Sequence, residues 1–271
     1  MDSIIEKSWK SGKSGAESMV VSVTTFMWMR TIMNYQYRYG GTLSHGIRDL
    51  YRQGGIFRFY RGYSMAIIQG PLSRFGDTFS NTFALTVLDS SNDRIPIALK
   101  TAGASLLAGM FRIMLTPIDT IKTVLQVEGS NSKHIFQNKI KENGFKAFYH
   151  GAIASSTATM VGHYPWFVTF NYLDSCLPHY DQKIQTLSRN AFIGFISSVV
   201  SDSCSNCFRV LKTYKQTHQD TKDYRSIYQE ILRNEGWTGF LGRGLPIRWI
   251  TNGLQGLVFT VLWKAFQDDN K

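Results

Sequence analysis

A basic residue recurs through this chain on a fixed beat. Arg30, Lys122 and Lys212 are each separated by roughly ninety residues, and a glycine closing an aromatic-basic stretch keeps the same period. That glycine is Gly62 at the end of Gly-Ile-Phe-Arg-Phe-Tyr-Arg-Gly, Gly151 at the end of Gly-Phe-Lys-Ala-Phe-Tyr-His-Gly, and Gly244 at the end of Gly-Phe-Leu-Gly-Arg-Gly. Two separate markers on one period, each present three times, are what a chain of three tandem units produces. The 271 residues divide accordingly into units 1–91, 92–181 and 182–271.

The second unit carries the most informative stretch, Thr116-Pro117-Ile118-Asp119-Thr120-Ile121-Lys122-Thr123-Val124-Leu125-Gln126. A proline inside a helix removes a backbone hydrogen bond and kinks the rod. Asp119 and Lys122 at i, i+3 share one helix face, where they can meet partners on neighbouring helices. A charged pair just past a kink, closing an otherwise apolar segment, has the form of a gate. The counterparts are worn. Thr25 and Met27 stand where the first unit would carry proline and acid, and Cys207 and Arg209 stand there in the third.

These residues resemble the mitochondrial carrier family, whose signature is Pro-x-[Asp/Glu]-x-x-[Lys/Arg] followed some thirty residues later by an aromatic-basic-Gly. The resemblance covers nearly the whole chain. It implies an all-α membrane protein with six transmembrane helices, two per repeat, and a short matrix helix between the members of each pair. It implies a multi-pass protein of the mitochondrial inner membrane that moves a small solute by alternating access. The worn gates leave an alternative open: a carrier-fold subunit that has lost transport and associates stably with a large inner-membrane protein complex.

Composition does not choose between soluble and membrane protein. The hydrophobic fraction is 43% and the mean hydropathy is −0.16, with no run of eighteen uninterrupted apolar residues. Helices around a water-filled cavity can keep polar inner faces and still span, so the repeat carries the argument. The formal charge of +11 fits attraction to anionic lipid better than nucleic-acid binding, because the basic residues are scattered and no nucleic-acid motif accompanies them. Three cysteines make no disulfide framework, and Cys204-Ser-Asn-Cys207 lacks the second pair that a zinc site needs. The six histidines form no triad or ligand spacing, so neither enzyme activity nor a metal or other cofactor is expected. Met1–Lys7 lacks the Arg-rich character of a transit peptide.

The pattern predicts a polar surface segment over 1–14 and a first long helix over 15–38. An amphipathic surface segment follows, with Leu43, Ile47 and Leu50 on one face, then a second long helix over 63–88. The second unit reads as a helix from near Ile95 through the signature, a short helix over 135–142 and a long one over 152–176. The third reads as helices over 187–216, 224–234 and 245–266.

The resemblance also assigns roles. Arg30, Pro117, Asp119, Lys122, Arg209 and Lys212 fall on the matrix gate, with Gln126 and Gln216 as braces and Asn34 as a weaker equivalent. Asp119 should face Lys212, Met27 offers Lys122 nothing, and Arg209 should confront Arg30. At the opposite gate no standard pair survives, and Asp174 with Lys264 is the best remaining combination. Substrate contacts fall on Gln69, Ala158, Thr159 and Thr251. None is charged, which disfavours nucleotide and keto-acid substrates. Arg112 and Asp202, charges inside predicted spans, are candidates to pair across the cavity, either as a site for a zwitterion such as an amino acid or as a permanent ion pair that plugs it. Arg74, Asp77 and Glu17 are further candidates. The helix starts at Tyr60-Arg61-Gly62, Tyr149-His150-Gly151 and Arg243-Gly244 correspond to the family's cardiolipin-binding positions, where free backbone N–H groups receive a phosphate.

Overall fold

The computed structural model describes residues 2–91, 97–180, 182–220 and 222–255. They form the helices α1 (Asp2–Tyr39), α2 (Leu43–Arg52), α3 (Tyr63–Ser91), α4 (Ile97–Glu128), α5 (Ser132–Asn143), α6 (Ala152–Cys176), α7 (Lys183–Thr217) and α8 (Tyr224–Gly242), and a last helix, α9, described over 245–255. The order long, short, long occurs in the first two units, and α7, α8 and the described part of α9 follow in the same succession. No strand occurs among the described residues, and the fold is all-α.

Local chemistry sets these boundaries. Gly40 and Gly41, both at positive φ, stop α1, and the Thr42 side chain accepts from the His45 N–H to start α2. The Asp223 carboxylate does the same for α8, accepting from the Ser226 N–H at 3.1 Å. Gly236, at φ +67, interrupts α8. Pro71, Pro117 and Pro165 lie inside α3, α4 and α6 without ending them. The segment 1–14, expected as a polar surface segment ahead of the first helix, belongs from Asp2 onward to α1 itself. Its Lys and Glu suit a helix, and it contains no proline. The helix expected over 63–88 also runs further, since α3 continues to Ser91.

Six helices close a ring, α1–α3–α4–α6–α7–α9, with the described part of α9 returning to α1 through Ile247 packed among Phe26, Met29 and Ile32. The polarity of the ring is inverted relative to a soluble bundle. Leu106, Met110, Ile113 and Met114 on α4 and Ile153, Val161, Tyr164, Val168 and Tyr172 on α6 follow helical spacing and face outward. Gln69, Ser73, Thr123 and Gln126 face inward. Among the described residues, an 18-residue window of mean hydropathy 1.3 within Ala102–Cys176 is the one apolar enough to cross a membrane on composition alone.

The short helices gather at one end, where a cyclic set of contacts ties each unit to the next. Gly62, Gly151 and Gly244 all have positive φ. A Cβ on them would stand 3.1 Å from the carbonyl oxygens of Lys122, Lys212 and Met33 respectively, each on the long first helix of the following unit. The repeating glycine is therefore a point of close backbone contact between units.

A second cycle runs beside the first. Arg58 donates to the carbonyls of Gln126 (2.7 Å) and Val127 (2.6 Å) at the end of α4. Lys139 donates to those of Lys215 (2.8 Å) and Gln216 (2.7 Å) at the end of α7. Arg243 donates to those of Tyr37 (3.4 Å) and Arg38 (3.2 Å) at the end of α1. In each case the two carbonyls lie one and two places before the helix's last residue. Buried cations thus satisfy orphan carbonyls and oppose the negative end of each helix dipole.

Candidate functional site

The ring encloses a cavity of about 720 Å³ lined by α1, α3, α4, α7 and α9. Its floor is made by the signature residues. Asp119 is 95% buried, and its carboxylate lies 2.6 Å from Lys212 Nζ and 2.8 Å from Lys122 Nζ. Gln216 Nε2 donates to the same carboxylate (3.3 Å) and to Thr120 Oγ1 (3.0 Å). Lys122 also donates to Gln69 Oε1 at 2.8 Å, so α3, α4 and α7 are joined through one acid. Pro117 is two residues before that acid, and Thr116 Oγ1 donates to the Arg112 carbonyl one turn back.

The first unit joins this floor without a charge. Asn34 Nδ2 donates to Gln126 Oε1 at 2.6 Å, and Gln126 Nε2 donates to the Met27 sulfur at 3.4 Å. Met27, standing at the acid position, is fully buried. It makes no polar contact with Lys122. The two amides do the joining that an acid–base pair would otherwise do between α1 and α4.

Other expected contacts fall differently. Arg112 does not pair with Asp202. It pairs with Asp77 at 2.7 Å, because α3 is the antiparallel neighbour its side of α4 faces. Asp202 turns to α9, lying 2.6 Å from Arg248 and accepting from Asn252 Nδ2 at 2.6 Å, with Arg209 at 3.6 Å on its own helix. Arg209 therefore does not confront Arg30, since the acid two helical turns before it draws it back toward Asp202 and Ser205. Asp174 pairs with Arg189 at 2.7 Å, and Lys264 lies outside the described residues. The Glu17 side chain also lies outside them.

Of the four contact positions, Gln69 and Thr251 line the cavity. Ala158 and Thr159 do not. Both are buried, on a helix packed between α4 and α7, where Gly109 meets Ser156 and Met160 and Gly162 meets Ser201 and Ser205. Arg248 and Asn252, which sequence reasoning missed, reach the site instead. The signal for them was present: they follow Gly244 by one and two helical turns, on the face that also carries Thr251.

The charge of the cavity reverses the expectation drawn from those four neutral positions. Arg30, Arg74, Arg112, Lys122, Arg209, Lys212 and Arg248 line it, against Asp77 and Asp119. A zwitterion is not what such a lining favours, and the argument against anionic solutes fails.

The lipid positions divide. Tyr60, Arg61 and Tyr149 are exposed beside the first turns of α3 and α6, where Gly62 and Gly151 precede the helix starts. Arg243 is committed inside the protein, held by Glu235 through Nε (2.9 Å) and Nη2 (2.8 Å) and by the α1 carbonyls, so it is not free for a phosphate. Gly244 packs on Met33 and Tyr37.

A ring of six helices in three antiparallel pairs, closed at one end around a central polar cavity, is the architecture of a carrier. Residues 97–181 and 184–268, well over half the chain, match the family model described as mitochondrial carrier protein. The chain belongs to the mitochondrial carrier family. It is 27% identical over 158 residues to the putative mitochondrial carrier protein PET8 of Saccharomyces cerevisiae, covering 55% of this chain and 52% of the relative. It is 28% identical over 160 residues to mitochondrial phosphate carrier protein 3 of Arabidopsis thaliana, covering 55% and 42%. It is 29% identical over 151 residues to the mitochondrial adenyl nucleotide antiporter SLC25A24 of Mus musculus, covering 50% and 29%. The matches thus span about half the length of the first of these relatives and less of the others. The relatives point to the mitochondrial inner membrane.

Proposed function

We propose that this chain is a multi-pass transporter of the mitochondrial inner membrane that moves a small solute through the central cavity by alternating access. The observation behind the reading is the closure of that cavity by Asp119, held between Lys122 and Lys212 and braced by Gln216. Opening the floor separates α4 from α7, and the ion pair and amide bonds lost there can be replaced by contacts to a bound solute. Such interactions, made in one state and broken in the other, are what alternating access requires.

The outward apolar faces of α4 and α6 suit a lipid surround, and the inward polar faces suit a water-filled path. On this reading the end carrying α2, α5 and α8 faces the matrix. The helix starts behind Gly62 and Gly151, with Arg61 beside one of them, are the places for cardiolipin phosphates. The three units 1–91, 92–181 and 182–271 act as one transmembrane body.

The worn signatures argued for a transport-deficient subunit of a larger complex. That argument loses force when Asn34 and Gln126 do the joining that the first unit's missing acid would have done. The test is migration on a native gel after extraction in mild detergent, followed by uptake in liposomes. Migration alone with uptake supports a carrier; migration only inside a large complex, without uptake by the isolated chain, overturns the proposal.

A further inference from the structure

The floor of the cavity is not tied equally on its three sides. Asp119 joins α4 to α7, and Asn34 joins α1 to α4 through Gln126. The side between α1 and α7 carries two bases, Arg30 and Arg209, where an acid and a base would be needed. Neither reaches across. Arg30 donates to Ser22 Oγ (3.3 Å) and Met19 Sδ (3.9 Å) on its own helix, and Arg209 turns back to Asp202 and Ser205 on its own. At the level of the floor, α1 is the weakly held helix. An exit through this end has to part α1, α4 and α7, the helices that carry Arg30, Lys122 and Lys212.

Beyond the floor, the end of α1 makes the contacts that the floor lacks. Arg38 and Tyr39 sit roughly 12 and 14 Å further along the helix than Arg30. The Tyr39 hydroxyl donates to the carboxylate of Glu128, the last residue of α4, 2.9 Å from Oε1 and 3.0 Å from Oε2. The Arg38 guanidinium lies over the Tyr214 ring of α7, 4.2 Å from its centroid, where the ring's quadrupole attracts a cation. Tyr214 is itself fixed. It is buried, its hydroxyl donates to Glu230 Oε1 at 2.8 Å, and Lys222 holds Glu230 at 2.8 Å. The last two residues of α1 thus grip both of the other signature-bearing helices.

These contacts differ in kind from the floor. Parting a buried ion pair strands charge away from water. Arg38 is half-buried and Tyr39 exposed, so water receives both when they let go. A contact that is broken and remade on every cycle needs that property.

We propose that Arg38 and Tyr39 are the latch of the gate at this end, clasping α7 and α4 in the closed state and releasing them whenever the cavity opens there. They stand outside the cavity lining and act by holding helices, so they are positioning residues. The latch rests on the transport reading, since only a chain that opens at this end has to release it.

The test is the distance between the ends of α4 and α7, read by pulsed electron paramagnetic resonance in mild detergent. Spin labels go on Ser130→Cys and Gln219→Cys, both exposed just past those ends, in the full chain with Cys176, Cys204 and Cys207 replaced by Ser. The parent is expected to give mainly the short distance of the closed end. Tyr39→Phe keeps the ring and removes one hydroxyl; Arg38→Gln removes the cation. Each should raise the ratio of long to short distances at least about threefold, and the double variant should raise it further. Arg38→Lys keeps a cation over Tyr214 and should stay near the parent. A role in stability alone would lower the melting midpoint and leave the short distance in place, which overturns the latch. Asp119→Asn, which breaks the floor itself, separates the two readings. If it lengthens the distance while the double variant does not, the latch is overturned and alternating access stands. If neither lengthens it, the end does not open, and alternating access falls with the latch.

Discussion

Asp119 and Lys212 lie 2.6 Å apart across the interface of α4 and α7, and Lys122 approaches the same carboxylate from within α4 at 2.8 Å. One buried acid thus balances two bases from two units. Removing it leaves two ammonium groups facing each other. Breaking one partner of a buried pair typically costs about 3–5 kcal/mol, more than the pair itself contributes. Asp119→Asn is therefore expected to lower both thermal stability and liposome uptake, the latter at least about tenfold. Lys212→Gln should do less damage, since Lys122 still balances the acid. Met27→Leu should leave uptake close to the parent. Equal uptake in all three would remove the floor from the mechanism.

The three buried cation caps can be tested one at a time. Arg58, Lys139 and Arg243 each place two charged hydrogen bonds on the end of a helix in the neighbouring unit. Hydrogen bonds to charged groups contribute roughly 1.5–3 kcal/mol each, less where the donor was already well hydrated. Arg58→Met and Lys139→Met should each destabilise by roughly 2–4 kcal/mol, measured by denaturant unfolding in detergent. Arg243→Met should cost at least as much because it also strands Glu235. Burial, then the Lys215 and Arg38 charges, hold Lys139 down at about 7. The folded value lies below the unfolded one, so stability should rise with pH from about 7 toward the ordinary lysine range. Lys139→Met should flatten that rise.

How much of this was legible in the sequence follows from which interactions repeat. The glycines at 62, 151 and 244 recur because the same close contact recurs, and the helix from Ala152 to Cys176 was bounded by Gly151 and Pro178. The caps were not legible. Arg58, Lys139 and Arg243 sit four, twelve and one residues before their repeat glycines, so no period reveals them. Geometry makes them equivalent, not register. The cavity's charge escaped for a related reason. Counting a fixed distance from the glycine samples one position per unit, whereas Arg74 and Arg248 sit a turn away from the sampled residues. Arg112 was assigned to Asp202 by matched register, but an antiparallel neighbour outcompetes a register-equivalent residue. The length of α1 was misjudged because its polar first turns carry no apolar stripe to read.

Two glycines separate backbone strain from interface contact. Gly144 and Gly151 both have positive φ, +57 and +85. A Cβ at Gly144 would meet nothing within 4 Å, while at Gly151 it would stand 3.1 Å from both the Lys212 carbonyl oxygen and Gln216 Cγ. Gly144, at φ +57 and ψ −142, lies in a region kept almost to glycine, so Gly144→Ala is expected to cost about 1–3 kcal/mol in backbone strain alone. Gly151, at φ +85 and ψ 0, is left-handed, and Gly151→Ala should cost about 1–2 kcal/mol for that conformation plus about 1–2 kcal/mol for the close contact, and also disturb Gln216, which braces Asp119. A matched pair of unfolding curves checks the difference. Uptake should fall for Gly151→Ala and not for Gly144→Ala; equal losses would mean that the close approach between the second and third units carries no functional weight.

His150 supplies a pH dependence whose sign follows from its surroundings. It stands between the short segment of the second unit and α6, and its Nδ1 is buried without a hydrogen-bond partner. Burial, then the nearby Lys139 and Lys215 charges, lower its pKa to about 4, with Glu142 opposing them. In the unfolded chain the imidazole titrates near 6.5. Between those values the unfolded state binds the proton and the folded state does not, so this residue's contribution to stability is present above about 6.5 and is lost as pH falls toward about 4. His150→Gln keeps a polar side chain of similar size and cannot titrate. The parent should therefore lose more stability than the variant between pH 6.5 and 4, and the two curves should run parallel above pH 7. Arginine, which stands at the matching position in the other two units, makes the opposite comparison: His150→Arg puts a permanent charge beside Lys139 and Lys215 and should lower the melting midpoint at every pH.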